Sequence, residues 1–183
     1  MLRNQTVDVG RLGELVSQII LLGAYDACVK EHFPDRTEYL VRAAQTPITL
    51  EDFLTKLLPP SYMELLRQQV GMFDAEDENA EELCVFFNHF DLLTEPLSSD
   101  ILAKGLRSAS AFQNMENTPG SDLTIPLYGI RTRKLLGALH VQVKAVSDES
   151  PALRTESLVQ KLEWGTVCGH DENALNDLAP LRF

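Results

Sequence analysis

Three cysteines, one tryptophan and no unbroken apolar stretch longer than a few residues are what this 183-residue sequence has little of. Cys28, Cys84 and Cys168 are odd in number and far apart. They argue against a disulfide framework and for free, mostly buried thiols in a reducing, cytoplasmic compartment. Apolar runs such as Ile19-Ile20-Leu21-Leu22 fall far short of the about 20 residues a bilayer span needs, so no membrane contact is expected. The opening Met1-Leu2-Arg3-Asn4-Gln5-Thr6 is polar and unlike a secretory leader. Neither a P-loop nor Gly-x-Gly-x-x-Gly occurs, and no Gly-x-Ser-x-Gly elbow is present. Without those signatures the chain reads as a binding protein rather than an enzyme, with no cofactor.

What is present is an ordinary globular composition, 44% hydrophobic and 23% charged. A chain of this length buries roughly two-thirds of its unfolded surface and needs no metal or disulfide to be stable. The formal net charge of −11 argues against a nucleic-acid surface, which requires clustered Lys and Arg. The charge is also segregated. Gln68 to Ala103 holds nine acidic residues and no Lys or Arg, whereas Leu123 to Ser147 holds Arg131, Arg133, Lys134 and Lys144 and no acid.

Periodicity divides the chain. Asp8 can cap a helix with Leu12, Leu15, Val16, Ile19 and Ile20 on one face and Gly23 as its stop. Asp35 with Glu38 starts a short helix through Ala44. Thr49 with Asp52, before Phe53, Leu54 and Leu57, is a capping-box pattern ended by Pro59-Pro60, and Ser61 with Glu64 repeats it. Leu83, Phe86, Phe87 and Phe90 fit a further helix, and Ser98 or Ser99 caps another through Leu106. Gln113 to Asp122 is a loop. Beyond it Leu123, Ile125 and Leu127, then Leu135, Gly137, Leu139, Val141 and Val143, alternate as two strands about a basic turn. Pro126, with no N–H, places the first strand at a sheet edge. Leu158 to Trp164 is helix or strand, and Glu172 to Leu178 a terminal helix. The expectation is one α+β domain over 1–183: a helical N-terminal two-thirds (8–112), a loop (113–122) and a β-rich part (123–183) forming an antiparallel hairpin or small sheet.

Candidate chemistry is sparse. Cys84, His89, Cys168 and His170 are the only set with zinc-type donors, but their spacing is not that of a finger and no metal is expected. Cys168 stands near His170, but positions so close in sequence rarely give triad geometry, and His140 reads as a structural histidine within a strand. The acidic residues Asp74, Glu76, Asp77, Glu78, Glu81 and Glu82 lack the glycine and closing glutamate of a calcium loop. They precede Phe86 and Phe90, so an acidic first turn followed by an aromatic helix face is the expected partner-binding surface. Arg131, Arg133 and Lys134 form a basic patch of opposite sign.

The stretch Ser121-Asp122-Leu123-Thr124-Ile125-Pro126-Leu127-Tyr128-Gly129, followed by Leu135-Leu136-Gly137-Ala138-Leu139-His140-Val141, resembles the closing hairpin of GAF-type sensory domains. The likeness implies a small-molecule-sensing regulatory domain; it departs from the family upstream, where helices are read in place of early sheet strands. Three functions are therefore expected in turn. The first is a non-catalytic protein-interaction or adaptor domain with a protein partner, basic in character or a second copy of the chain. The second is the small-molecule sensor, and the third an acidic nucleic-acid mimic that inhibits a basic partner.

Overall fold

The computed structural model describes residues 9–42, 46–70, 82–116 and 118–143. The described elements run α1 (Val9–His32), α2 (Arg36–Arg42), β1 (Ile48–Thr49), α3 (Leu50–Leu57), α4 (Pro60–Val70), β2 (Leu83–Val85), β3 (His89–Leu92), α5 (Ser99–Ser108), β4 (Ser110–Gln113), β5 (Leu123–Gly129) and β6 (Leu135–Val141). The fold is α+β, with a mixed sheet in which β3 and β4 are parallel and every other pair is antiparallel.

Capping chemistry sets the helix starts. The Thr49 side chain accepts from the Asp52 N–H, Asp35 Oδ1 from the N–H groups of Thr37 and Glu38, and Ser98 Oγ from that of Ile101. Each satisfies a donor that the first helical turn leaves open. The fourth start differs from expectation. Pro60, not a Ser61 cap, opens α4, because proline's fixed φ and missing N–H suit the first helical position.

Four expectations are corrected. Gly23 does not stop α1, which continues to His32. A helical glycine costs only about 1 kcal/mol, and Ala24, Tyr25, Cys28 and Val29 beyond it are buried. At 24 residues, α1 also has the length and composition of a bilayer span, contrary to a reading that counted only consecutive apolar residues. Segment 83–90 is not a helix: it forms β2, a short link and β3. The "helical" 8–112 thus holds β1 to β4, because a run of bulky apolar residues fits a buried strand as well as a helix and sheet pairing decides. Finally, β5 is not an edge.

Strand β5 is the centre of the sheet. One edge pairs with β6 along Leu123 to Tyr128; the other is shared, with β4 opposite Leu123 and Thr124 and β2 opposite Leu127 to Gly129. Pro126 falls in the gap between β4 and β2. Strand β1 extends the β2 branch and β3 the β4 branch. Leu123, Ile125 and Leu127 join Val85, Phe87 and Ala111 in a core with α1, α3 and α4, where Phe53 and Phe87 meet edge to face at 5.9 Å. A second core of Leu97, Leu102, Phe112 and Ala138 lies under α5. Segments 71–81 and 144–183 lie outside the described residues, so the acidic residues before Glu82 and the expected C-terminal elements have no structural account.

Gly105 fixes how closely α5 approaches β4. A Cβ there would stand 2.6 Å from the Phe112 ring, itself buried, and 3.0 Å from the Ser110 carbonyl oxygen. Gly105→Ala should therefore lower stability by about 1–3 kcal/mol despite alanine's better helix propensity, as measured by urea unfolding. A gain in stability would show that α5 is free to shift.

Candidate interaction sites

Of the residues expected to bind a partner, Asp74, Glu76, Asp77, Glu78 and Glu81 lie outside the described residues. Glu82 is exposed, and its carbonyl accepts the Ile130 N–H at 3.1 Å, which holds the end of the acidic segment beside the basic β5–β6 turn. The phenylalanines do not share a helix face. Phe87 is fully buried, with its ring 5.1 Å from Tyr25, and Phe90 packs on Phe87 at 5.6 Å. Phe86, half-buried, lines an open cavity. The zinc-type donors do not converge either: Cys84 is buried in β2, and His89 is exposed at the start of β3 on the other branch of the sheet. Among the described residues no three His, Cys, Asp or Glu side chains could hold a metal, and Cys168 and His170 lie outside them.

Tertiary structure brings Phe86 to the basic turn. A cavity of ≈ 440 Å³ is lined by Pro47, Phe86, Leu106, Arg107, Tyr128, Ile130 and Arg133, drawn from four separate stretches of chain. Burial pushes the Tyr128 hydroxyl up to about 12, which keeps it a neutral donor. Arg131 and Lys134 are exposed on the same turn. Among the described residues no carboxylate forms an ion pair with Arg107 or Arg133. The turn closes through the Arg133 N–H to the Gly129 carbonyl and the Gly129 N–H to that of Lys134. Arg133 itself is left-handed, with φ 53°. Only Ala109, at φ 53°, is another positive-φ non-glycine among the described residues, and its methyl is buried where it caps α5. Exposed Arg133 has no such packing reason for a backbone that costs an L-residue about 1 kcal/mol or more.

The first half of α1 is turned inside out. Leu12, Leu15, Val16, Ile19 and Ile20 form the single apolar face the sequence predicts, yet each is 46–61% exposed. At about 100° per residue they point away from Leu21, Ala24, Tyr25, Cys28 and Val29, which enter the core. The side turned toward the sheet is polar instead. Arg11 pairs with Glu116 at 2.6 Å, Gln18 donates to Gln113 at 3.0 Å, and Gln113 donates to Glu14 at 2.6 Å. Gly23 lies in line with the outward ridge, with open space where a Cβ would stand.

Two polar clusters complete the picture, and sequence spacing pointed to neither. His89 Nε2 lies 3.0 Å from Ser110 Oγ and its Nδ1 2.5 Å from Asn88 Oδ1, an arrangement like a nucleophile, a base and an orienting group. Ser110 has no exposed surface, however, and its hydroxyl also meets Ser108 Oγ at 2.7 Å, so the chain of bonds ties β3 and β4 to the end of α5. Under β5, Asn114 donates to Ser121 and Thr124, Thr124 Oγ1 donates back to Asn114 Oδ1, and His140 Nδ1 lies 3.1 Å from Thr124 Oγ1.

Set against family models, curated proteins and solved structures, the chain matches none.

Burial lowers the His140 imidazole from its ordinary 6.5 to about 4, and Nε2 is shut off from solvent. The folded protein holds this ring neutral while the unfolded chain takes up the proton near pH 6.5. Stability from this group is therefore complete above pH 6.5 and lost as pH falls toward 4, on the order of 3 kcal/mol in all. Unfolding of the wild type and His140→Gln across pH 7 to 5 checks this. A wild-type slope no steeper than that of the variant would refute it.

Proposed function

We propose that the chain is a protein-interaction domain whose partner seats on the outward ridge of α1. The observation that supports this reading is the inversion of that helix. Its apolar face looks outward while Arg11, Glu14 and Gln18 face the sheet. Contiguous exposed aliphatics of this kind mark binding surfaces. Covering the exposed half of each side chain is worth on the order of 1 kcal/mol, which no contact within the described residues supplies. Gly23 fits the same reading, since a crossing apolar helix of a partner or a second copy could approach closely there. The segregated charge of the sequence, with Glu82 held beside a basic turn, leaves room for electrostatic steering of the encounter.

Two variants test the ridge. Leu15→Ser with Ile19→Ser should change unfolding stability by no more than about 0.5 kcal/mol per site, because both residues are exposed, yet remove ridge-dependent association. Association is read by sedimentation of the pure protein and by affinity capture. Gly23→Ala should raise helix stability by about 1 kcal/mol and still weaken association. Unchanged sedimentation and unchanged captured partners in both variants would overturn the reading, as would binding to neutral lipid vesicles alone.

A further inference from the structure

The geometry points to the cavity between α5 and the β5–β6 turn as a binding site for a small organic anion, one that carries a phosphate or carboxylate on an aromatic body. This site is separate from the α1 ridge and does not depend on it. Arg107 and Arg133 supply two guanidinium groups, which bind phosphate or carboxylate through paired donors, and neither is spent on a carboxylate among the described residues. Tyr128 is half-buried at the wall, and Phe86, Leu106, Ile130 and Pro47 supply aromatic and aliphatic surface for the body of the ligand. The ≈ 440 Å³ volume lies within the range of small-molecule sites, about 300–1,000 Å³, and four chain segments line it.

Arg133 sharpens the argument. A glycine would relax its left-handed backbone, and its side chain packs in neither core, yet the position carries an arginine that lines the cavity. A residue kept in a strained conformation at the rim of a cavity points to work done there by its side chain. Stability and binding should then move in opposite directions when it is replaced.

The experiment is an amide NMR titration of the full chain with phenyl phosphate, benzoate, inorganic phosphate and benzyl alcohol. Phenyl phosphate or benzoate should shift Phe86, Leu106, Arg107, Tyr128, Ile130 and Arg133 saturably, with Kd on the order of 1 mM. Which of the two binds more tightly identifies the anionic group. Inorganic phosphate and benzyl alcohol should bind at least about tenfold more weakly, since each offers half of the chemistry. Arg133→Gly should melt at or above the wild-type temperature and bind about tenfold more weakly. Arg107→Gln, on the exposed last turn of α5, should weaken binding likewise. Equal binding of inorganic phosphate, unchanged affinity in Arg133→Gly, or no saturable shift by 10 mM ligand, about tenfold above the expected Kd, would overturn the assignment. So would an acidic, phenylalanine-containing peptide that binds more tightly than phenyl phosphate and shifts residues beyond the cavity. Loss of the α1 ridge would leave these results unchanged.

Discussion

Nearly everything in this molecule leans on strand β5, because the two branches of the sheet meet on it and it is buried along almost its whole length. Its Leu123, Ile125 and Leu127 close the core beneath α1, α3 and α4, while Thr124 looks toward the other side. One edge carries β6, and the other is divided between β4 and β2. Splitting an edge in this way sends the sheet into two branches, and Pro126 occupies the split. The missing N–H that argued for an edge strand is tolerated because neither β4 nor β2 reaches it on that side.

The split also positions the candidate sites. Strand β2 runs alongside the end of β5, from Leu83 opposite Gly129 to Val85 opposite Leu127, so Phe86 just after it lines the same cavity as Tyr128 and Ile130, and α5 brings Leu106 and Arg107 to the same place. The β4 branch, by contrast, carries Gln113 to meet Glu14 and Gln18 of α1. Those polar contacts, with the Arg11–Glu116 pair, hold the polar side of that helix against the body and leave its aliphatic ridge outward. Surface pairs of this type are individually weak, so the outward ridge is not held by them alone. The core residues one to two turns later on α1 anchor the helix, and its rotation there fixes the facing of everything before.

The phenylalanines show where local signals mislead. Spacing of three and four residues placed Leu83, Phe86, Phe87 and Phe90 on one helix face, yet in the sheet they part company. Phe87 enters the main core against Tyr25 and Phe53, Phe90 covers Phe87, and Phe86 turns to the cavity. Period alone cannot separate a short apolar strand pair from a helix; the hydrogen-bonding partners Tyr128, Gly129 and Ser110, remote in sequence, do so. The basic turn was legible as a charge cluster, but its companions Pro47, Leu106 and Arg107 come from elements with no local mark of their role.

By itself the sequence determined the features that rest on short-range chemistry. The caps at Asp35, Thr49 and Ser98, the proline break after α3, the hairpin of β5 and β6, and the apolar face of α1 all follow from neighbouring residues and were readable as such. Tertiary structure alone decided which way that face points, which phenylalanine stays at the surface, and that Pro126 sits in a central strand. Each of those depends on contacts between residues tens of positions apart, where burial and pairing outweigh local preferences of about 1 kcal/mol.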